Sequence, residues 1–310
     1  MTPTADPFLH PAFFYGDAAD YLAGIVPFVR EGIDAGEPVM VAVPGPNLDR
    51  IRTALGDDAD RVQLHDMSVA GRNPGRIIPG VLLAFAATHA DRPVRIIGEP
   101  IWAARTPLEY PACAQHEALI NAAFSGRRAT ILCPYDTSAL NERWLADACR
   151  THPVVRSAAA EWQSPAYDDP VAVAAAFNRA LPDPPTGAER VSVDSTALSA
   201  IRRFVAARAG TAGLPPARIG DLVIAVSELA ANTIEHGGAA GTLTLWRDDT
   251  TFVCQLTDAG HIADPLAGRI PVPLTQASGG RGLVLVNQLV DLVRVHTRPG
   301  ATTVRLHMYA

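Results

Sequence analysis

The stretch VSELAANTIEHGG (Val226 to Gly238) sets a carboxylate, Glu228, four residues ahead of an amide, Asn232, inside a helical pattern. Working outward, apolar residues at 219, 222, 223, 226, 230 and 234 recur at helical spacing. They mark a buried face on a helix expected over Ile219 to Glu235. Asp221, Glu228, Asn232 and Glu235 fall on a second stripe, at intervals of seven, four and three. Taken alone, such a stripe is a solvated polar face. Three segments downstream give it another meaning.

In LTDAGHIADP (256–265), Asp258 closes a strand and Gly260 follows two residues on. An Asp there can accept a hydrogen bond from an exocyclic amine, and a Gly lets backbone approach a flat ring. In SGGRGLVLVNQL (278–289), a glycine cluster runs into a helix expected over Gly282 to Val290. Freed N–H groups and a helix N-terminus suit an anion. GATTVRL (300–306) starts a final strand with a hydroxyl pair. Around these lie a strand in RVSVDS (190–195), a helix over Thr196 to Ala209, and a hairpin of GTLTLWR and TFVCQLTD. DLVRVHT and ATTVRLHM form another strand pair. The order β-α-α-β-β-α-β-β predicts a two-layer α+β sandwich with helices on one face of a mixed sheet.

In this order and spacing the segments resemble the GHKL (Bergerat-fold) ATPase and kinase superfamily, over about residues 188–310. Glu228 and Asn232 match its N box, Asp258 and Gly260 its first glycine box, and Gly280 and Gly282 its second. The resemblance implies ATP with Mg²⁺. Asn232 would offer an oxygen to Mg²⁺, and Glu228 would serve as general base. Asp258 would read the adenine amine with Thr302 close by, and Gly280, Arg281 and Gly282 would contact phosphates. AVSELAANTIEHG resembles the RsbW-like anti-sigma-factor serine kinases. That implies a sigma factor as the captive partner and a serine on a STAS-domain anti-anti-sigma protein as the substrate. Homodimerisation is a further expectation of the resemblance. None of the nine histidines has the helical-hairpin setting of a histidine-kinase substrate. Ile262, with His261 before it, stands where a glycine often completes the first box. The compact lid is expected over 261–279. A non-catalytic, ATP-binding partner-switching module therefore stands as the alternative.

The first half alternates apolar runs with helical patterns. Strands are expected in PVMVAVP (38–44), RVQLHDM (61–67), PVRIIGEP (93–100) and ATILCPYD (129–136). Helices are expected over Ala18 to Glu31, Asn47 to Leu55, Arg76 to His89, Glu109 to Phe124 and Ser138 to Cys149. Apolar strands separated by helices predict a three-layer α/β domain with a mainly parallel sheet, over about 8–158. HPAFFYGDAADYLAGIVPFVREGIDAGEPVMVAVP, GEPIW and LCPYD resemble the MEDS (DcmR-like) sensory domain. The resemblance implies an unidentified small-molecule or protein signal. In an open parallel sheet, ligands bind beyond the carboxyl ends of strands. Glu99, Trp102, Tyr135, Asp136, His65 and Asp66 follow such ends, and Tyr15, Tyr110, Glu117 and Asn121 are further pocket candidates. No ligand spacing among His10, His65 and His152 points to metal or haem. A helical, proline-rich linker, 159–187, ending near LPDPP, is expected to join the halves.

Bulk composition narrows the classes. The 310 residues are 48% hydrophobic and 19% charged, a core-forming balance. A net charge of −6 gives no electrostatic footprint for nucleic acid. Every basic side chain is arginine, so neither a Walker-type nor a Schiff-base lysine exists. The four scattered cysteines give neither a disulfide framework nor a zinc spacing. No stretch approaches the ~20 apolar residues of a membrane span. A cytoplasmic protein without membrane or nucleic-acid partners is expected.

Overall fold

The computed structural model describes residues 7–271 and 280–309. Ser278, Gly279 and residues 272–279 of the expected lid lie outside the described residues. The chain divides into two compact units between Phe177 and Asn178.

The first unit runs β1 (Pro11–Tyr15), α1 (Ala18–Asp34), β2 (Val39–Val43), α2 (Gly45–Leu55), β3 (Gln63–Asp66), α3 (Met67–Ala70) and α4 (Leu83–Thr88). It continues with β4 (Val94–Gly98), α5 (Tyr110–Phe124), β5 (Ala129–Asp136), α6 (Glu142–Thr151), β6 (Val154–Arg156), β7 (Glu161–Gln163) and α7 (Pro170–Ala176). The seven strands form one sheet in the order β3-β2-β4-β5-β1-β6-β7. It is parallel except where β7 returns against β6. Val39, Val41, Val43, Ile97 and Leu132 pack against Ile25, Val29 and Ile51 of α1 and α2. Met40, Ala42, Ile96, Ile131 and Cys133 alternate with them, so they face the other side, and they are equally buried. Helices therefore cover both faces, which is why these strands are apolar throughout.

The helix predicted over 76–89 runs without interruption over 77–88, as a π turn (Ile78–Leu82) that passes directly into α4, behind a short 3-10 turn (Pro74–Arg76). Pro79 supplies no amide donor there. The expected linker is divided. Its helix, α7, packs on α5, with Gln115 Nε2 donating to Ala174 O at 3.2 Å.

The second unit runs β8 (Glu189–Val193), α8 (Leu198–Thr211), α9 (Pro216–His236), β9 (Gly241–Asp248), β10 (Thr251–Asp258), α10 (Arg281–Leu289), β11 (Leu292–Arg298) and β12 (Ala301–Tyr309). The sheet order is β11-β12-β10-β9-β8. Every pairing is antiparallel, where the sequence reading expects a mixed sheet. Val193 of β8, Leu243 and Leu245 of β9, Leu256 of β10 and Leu306 of β12 form one core with Leu222, Val226 and Leu229 of α9. The register sets Asp258 beside Thr302 on one side and Gly241 on the other. All three therefore share one end of the sheet.

Among the described residues, no helix is long and apolar enough to cross a membrane. One ion pair ties α9 to the start of β11. Arg218 Nη2 donates to Asp291 Oδ2 at 2.7 Å, and the Tyr309 amide donates to the same oxygen at 2.7 Å. Asp291 is 2% exposed. Arg218→Met removes the cation and leaves the carboxylate buried, which typically costs several kcal/mol. Urea unfolding of the second unit is expected to show a loss of about 2–4 kcal/mol for Arg218→Met. A change under about 0.5 kcal/mol, the usual size for surface substitutions, contradicts this reading.

Candidate functional site

In the second unit a cavity of about 230 Å³ opens between α9, the end of β10 and the start of α10. Asn232, Asp258, Gly260, Gly280, Gly282 and Thr302 line it, with His236, Gly237 and Ile262. Asp258 is held at one end. Thr233 Oγ1 donates to its Oδ2 at 2.6 Å and the Gly260 amide to its Oδ1 at 2.8 Å. Thr302 Oγ1 donates to Gly260 O at 3.0 Å and lies 2.8 Å from Thr297 Oγ1. The Ile262 amide donates to Thr297 Oγ1 at 2.9 Å, which ties the segment after Gly260 to β11.

At the other end α10 begins against the polar stripe of α9. Gly280 takes φ +88° as the helix cap, a conformation that favours glycine and brings no side chain of its own to the first turn. A Cβ placed on Gly282 would stand 2.9 Å from Glu228 Oε2 and 3.4 Å from Asn232 Nδ2. Glycine lets the helix start here without displacing the Glu228 carboxylate. Glu228 sits behind Gly282 and Arg281 is exposed; neither lines the cavity. A glycine-capped helix start at one end suits an anion, and an anchored carboxylate at the other suits a hydrogen-bond donor.

In the first unit the expected pocket residues separate into distinct contacts. Tyr15 and Glu99 meet at the carboxyl ends of β1 and β4. Glu99, 2% exposed, accepts from Tyr15 OH at 3.4 Å, Tyr21 OH at 3.1 Å, and Asn47 Nδ2 at 3.0 Å and 2.9 Å. Burial pushes its carboxyl up to about 7 despite these donors. Glu117, Asn121 and Tyr135 gather on the opposite face of the sheet with His10, Cys133 and His152. There burial, and after it His152, draws the His10 pKa down to about 4.

The remaining candidates have local roles. Asp136 Oδ1 accepts from the Ser138 and Ala139 amides, and Asp66 Oδ1 from the Ser68 amide. Tyr110 donates to Asp147 at 2.8 Å and stacks on Trp144. Trp102 lies under the Arg105 guanidinium, and His65 meets Gln63 at 2.6 Å.

With this geometry in view, comparison with known proteins gives two family matches. Residues 9–153 match the model described as "MEDS: MEthanogen/methylotroph, DcmR Sensory domain". Residues 191–308 match the model described as "Histidine kinase-like ATPase domain". The chain joins a MEDS domain to a histidine kinase-like ATPase domain. Among solved structures, the RsbU and RsbW domains of Rv1364c from Mycobacterium tuberculosis are 21% identical with a TM-score of 0.31. That match covers 40% of this chain and 33% of the other, so this chain spans about a third of that structure's length. The Acinetobacter baumannii histidine kinase AdeS is 12% identical, covering 39% of this chain and 67% of its own, with a TM-score of 0.26. The search of curated proteins gave no match.

Sequence reasoning missed several partners in both domains. Thr233 and Thr297 anchor the ATPase-domain cavity, yet each reads as an ordinary helix or strand residue. Tyr21 and Asn47 converge on Glu99 of the MEDS domain from two helices far apart in sequence. Only the folded topology reveals these meetings.

Glu99 gives a pH test of the MEDS domain. A carboxyl raised in the folded state holds its proton more tightly there than in the unfolded chain. Its contribution to stability is complete below the unfolded value, 4.5, and is lost as pH rises through about 7. Between pH 5 and 8, wild type is expected to lose about 2–3 kcal/mol relative to Glu99→Gln, which does not titrate. A urea-unfolding difference that stays constant over that range contradicts the assignment.

Proposed function

We propose that the histidine kinase-like ATPase domain binds ATP with Mg²⁺ in this cavity and phosphorylates a serine on a STAS-domain anti-anti-sigma partner. In the same reading it sequesters a sigma factor, and the MEDS domain controls it in response to a signal. The observation that carries this is the placement of Glu228 and Asn232 against Gly282, at the glycine-capped start of α10, with Asp258 across the cavity.

Each residue has a role its chemistry allows. Asp258 accepts from the adenine amine, its orientation already set by Thr233 and Gly260. The Gly280 and Gly282 backbone meets phosphate oxygens. Asn232 offers a neutral oxygen to Mg²⁺. When bound, the nucleotide supplies the phosphoryl group, and Mg²⁺ neutralises charge on its oxygens. Glu228, one helical turn from Asn232, accepts the proton that the serine hydroxyl gives up.

A second reading, nucleotide binding without transfer, draws on the bond from the Ile262 amide to Thr297. It pins the segment that would have to move over the phosphates. Incubation with γ-labelled ATP and the STAS-domain proteins of the source genome separates the two. The kinase reading expects phosphoserine on one of them, with Glu228→Gln reducing the rate by at least about 100-fold, the scale of general-base catalysis. Undiminished transfer by Glu228→Gln removes the base role. The binding-only reading expects no transfer to any of them from a chain that binds ATP.

A further inference from the structure

A second constellation lies inside the MEDS domain, away from the strand ends. His10 immediately precedes β1, Glu117 lies on α5, Cys133 on β5, and His152 directly follows α6. All four are buried, none more than 1% exposed. His10 Nε2 is 3.4 Å from Glu117 Oε2, and His152 Nε2 is 3.3 Å from the same oxygen. Cys133 Sγ is 3.4 Å from His10 Nε2. One donor atom from each residue lies within 4.8 Å of those of the other three.

Hydrogen bonds outside the cluster fix the imidazole protons. Asn121 Nδ2 donates to Thr151 O at 2.8 Å and Ala118 O at 3.3 Å. Its Oδ1, 3.1 Å from His10 Nδ1, can therefore only accept. Ala148 O, 2.8 Å from His152 Nδ1, also only accepts. Both Nδ1 atoms carry a proton, assigned from this network, and both Nε2 atoms turn inward. Among the described residues, both Glu117 oxygens and His152 Nε2 are buried without a well-aligned hydrogen-bond partner. Apart from the Cys133 thiol, which can donate to His10 Nε2, lone pairs thus face lone pairs in a closed space. Protonating both Nε2 atoms instead would set two cations, ring centroids 4.1 Å apart, against a single carboxylate. One multivalent cation at the centre satisfies every donor.

We propose that His10, Glu117, Cys133 and His152 are the four ligands of a zinc ion buried in the MEDS domain. The spacing fits the metal. With Zn–N and Zn–O bonds of about 2.0–2.1 Å, a tetrahedron has N···O edges of about 3.3–3.4 Å. With Zn–S of about 2.3 Å, its S···N edge is about 3.6 Å. Three of the six edges, at 3.4, 3.3 and 3.4 Å, match these lengths, and all six lie within 4.8 Å. Mixed nitrogen, oxygen and sulfur donors suit zinc better than the oxygen-loving Mg²⁺ or Ca²⁺. The outward Nδ1–H bonds to Asn121 and Ala148 orient both rings, as is usual for metal-bound histidines. Binding releases the Cys133 thiol proton. The ion, one thiolate and one carboxylate then sum to zero charge, which suits a dry interior. Four protein ligands close the coordination sphere, so the ion ties β1, α5, β5 and the end of α6 together.

The test uses the full chain purified without chelators. Elemental analysis is expected to find one zinc per chain. Exchange with Co²⁺ is expected to give the visible bands of tetrahedral cobalt and a near-ultraviolet thiolate-to-cobalt band. Cys133→Ser should abolish the near-ultraviolet band, Cys149→Ser should retain it, and His152→Ala should strip the metal. Folded wild type that carries no zinc and takes up no Co²⁺ overturns the proposal. So does a wild-type cobalt spectrum without the thiolate band, or a band that survives Cys133→Ser. The wild-type spectrum decides the matter even where a variant fails to fold.

Discussion

The start of α10 against the polar stripe of α9 is the contact on which the cavity of the ATPase domain depends. Were residue 282 larger than glycine, its Cβ would stand 2.9 Å from Glu228 Oε2 and 3.4 Å from Asn232 Nδ2. The Glu228 carboxylate would have to swing aside, and the pairing of the two polar groups at the start of α10 would be lost. The apolar side of α9 is fixed by the sheet, through Leu222, Val226 and Leu229. Its polar side is thus presented to α10 with little freedom. Core packing on one face of the helix sets the geometry of chemistry on the other.

The opposite end of the cavity is set by strand register. The β10–β12 ladder puts Asp258 level with Thr302, and Thr302 in turn holds Gly260 through its carbonyl. A slip of one residue would turn Asp258 to the other face of the sheet. Hydrogen bonds from Thr233 and Gly260 then hold the carboxylate in one orientation before any ligand arrives. Such preorganisation lowers the entropy lost on binding.

Much of this was legible in the sequence because it rests on local periodicity. Glu228 and Asn232 are one turn apart wherever a helix forms, and the element order of the second half follows from apolar spacing and turn residues. The central β2, β4 and β5 were visible as continuous apolar runs. The short PAFFY strand was not, although it lies between β5 and β6 in the sheet. PAFFY opens on a proline and holds no Val, Ile or Leu, so it lacks the run that marks the other strands. The meeting of His10, Glu117, Cys133 and His152 was equally hidden. Parallel topology brings together residues from four elements, and no ligand spacing survives in the linear order. Pro79 falls in a π turn that the apolar pattern does not show, and the all-antiparallel pairing of the second sheet is a tertiary choice that strand patterns leave open.

The central claim is that the cavity between α9, the end of β10 and α10 holds a nucleotide by Asp258 at one end and through Asn232 and a metal ion at the other. Calorimetric titration of the full chain with ATP, with and without Mg²⁺, tests it most directly. The account predicts saturable binding that Mg²⁺ strengthens. Asp258→Ala should abolish it, and Asn232→Ala should remove the Mg²⁺ dependence. Equal binding by wild type and Asp258→Ala, or no binding by wild type in either condition, would contradict it.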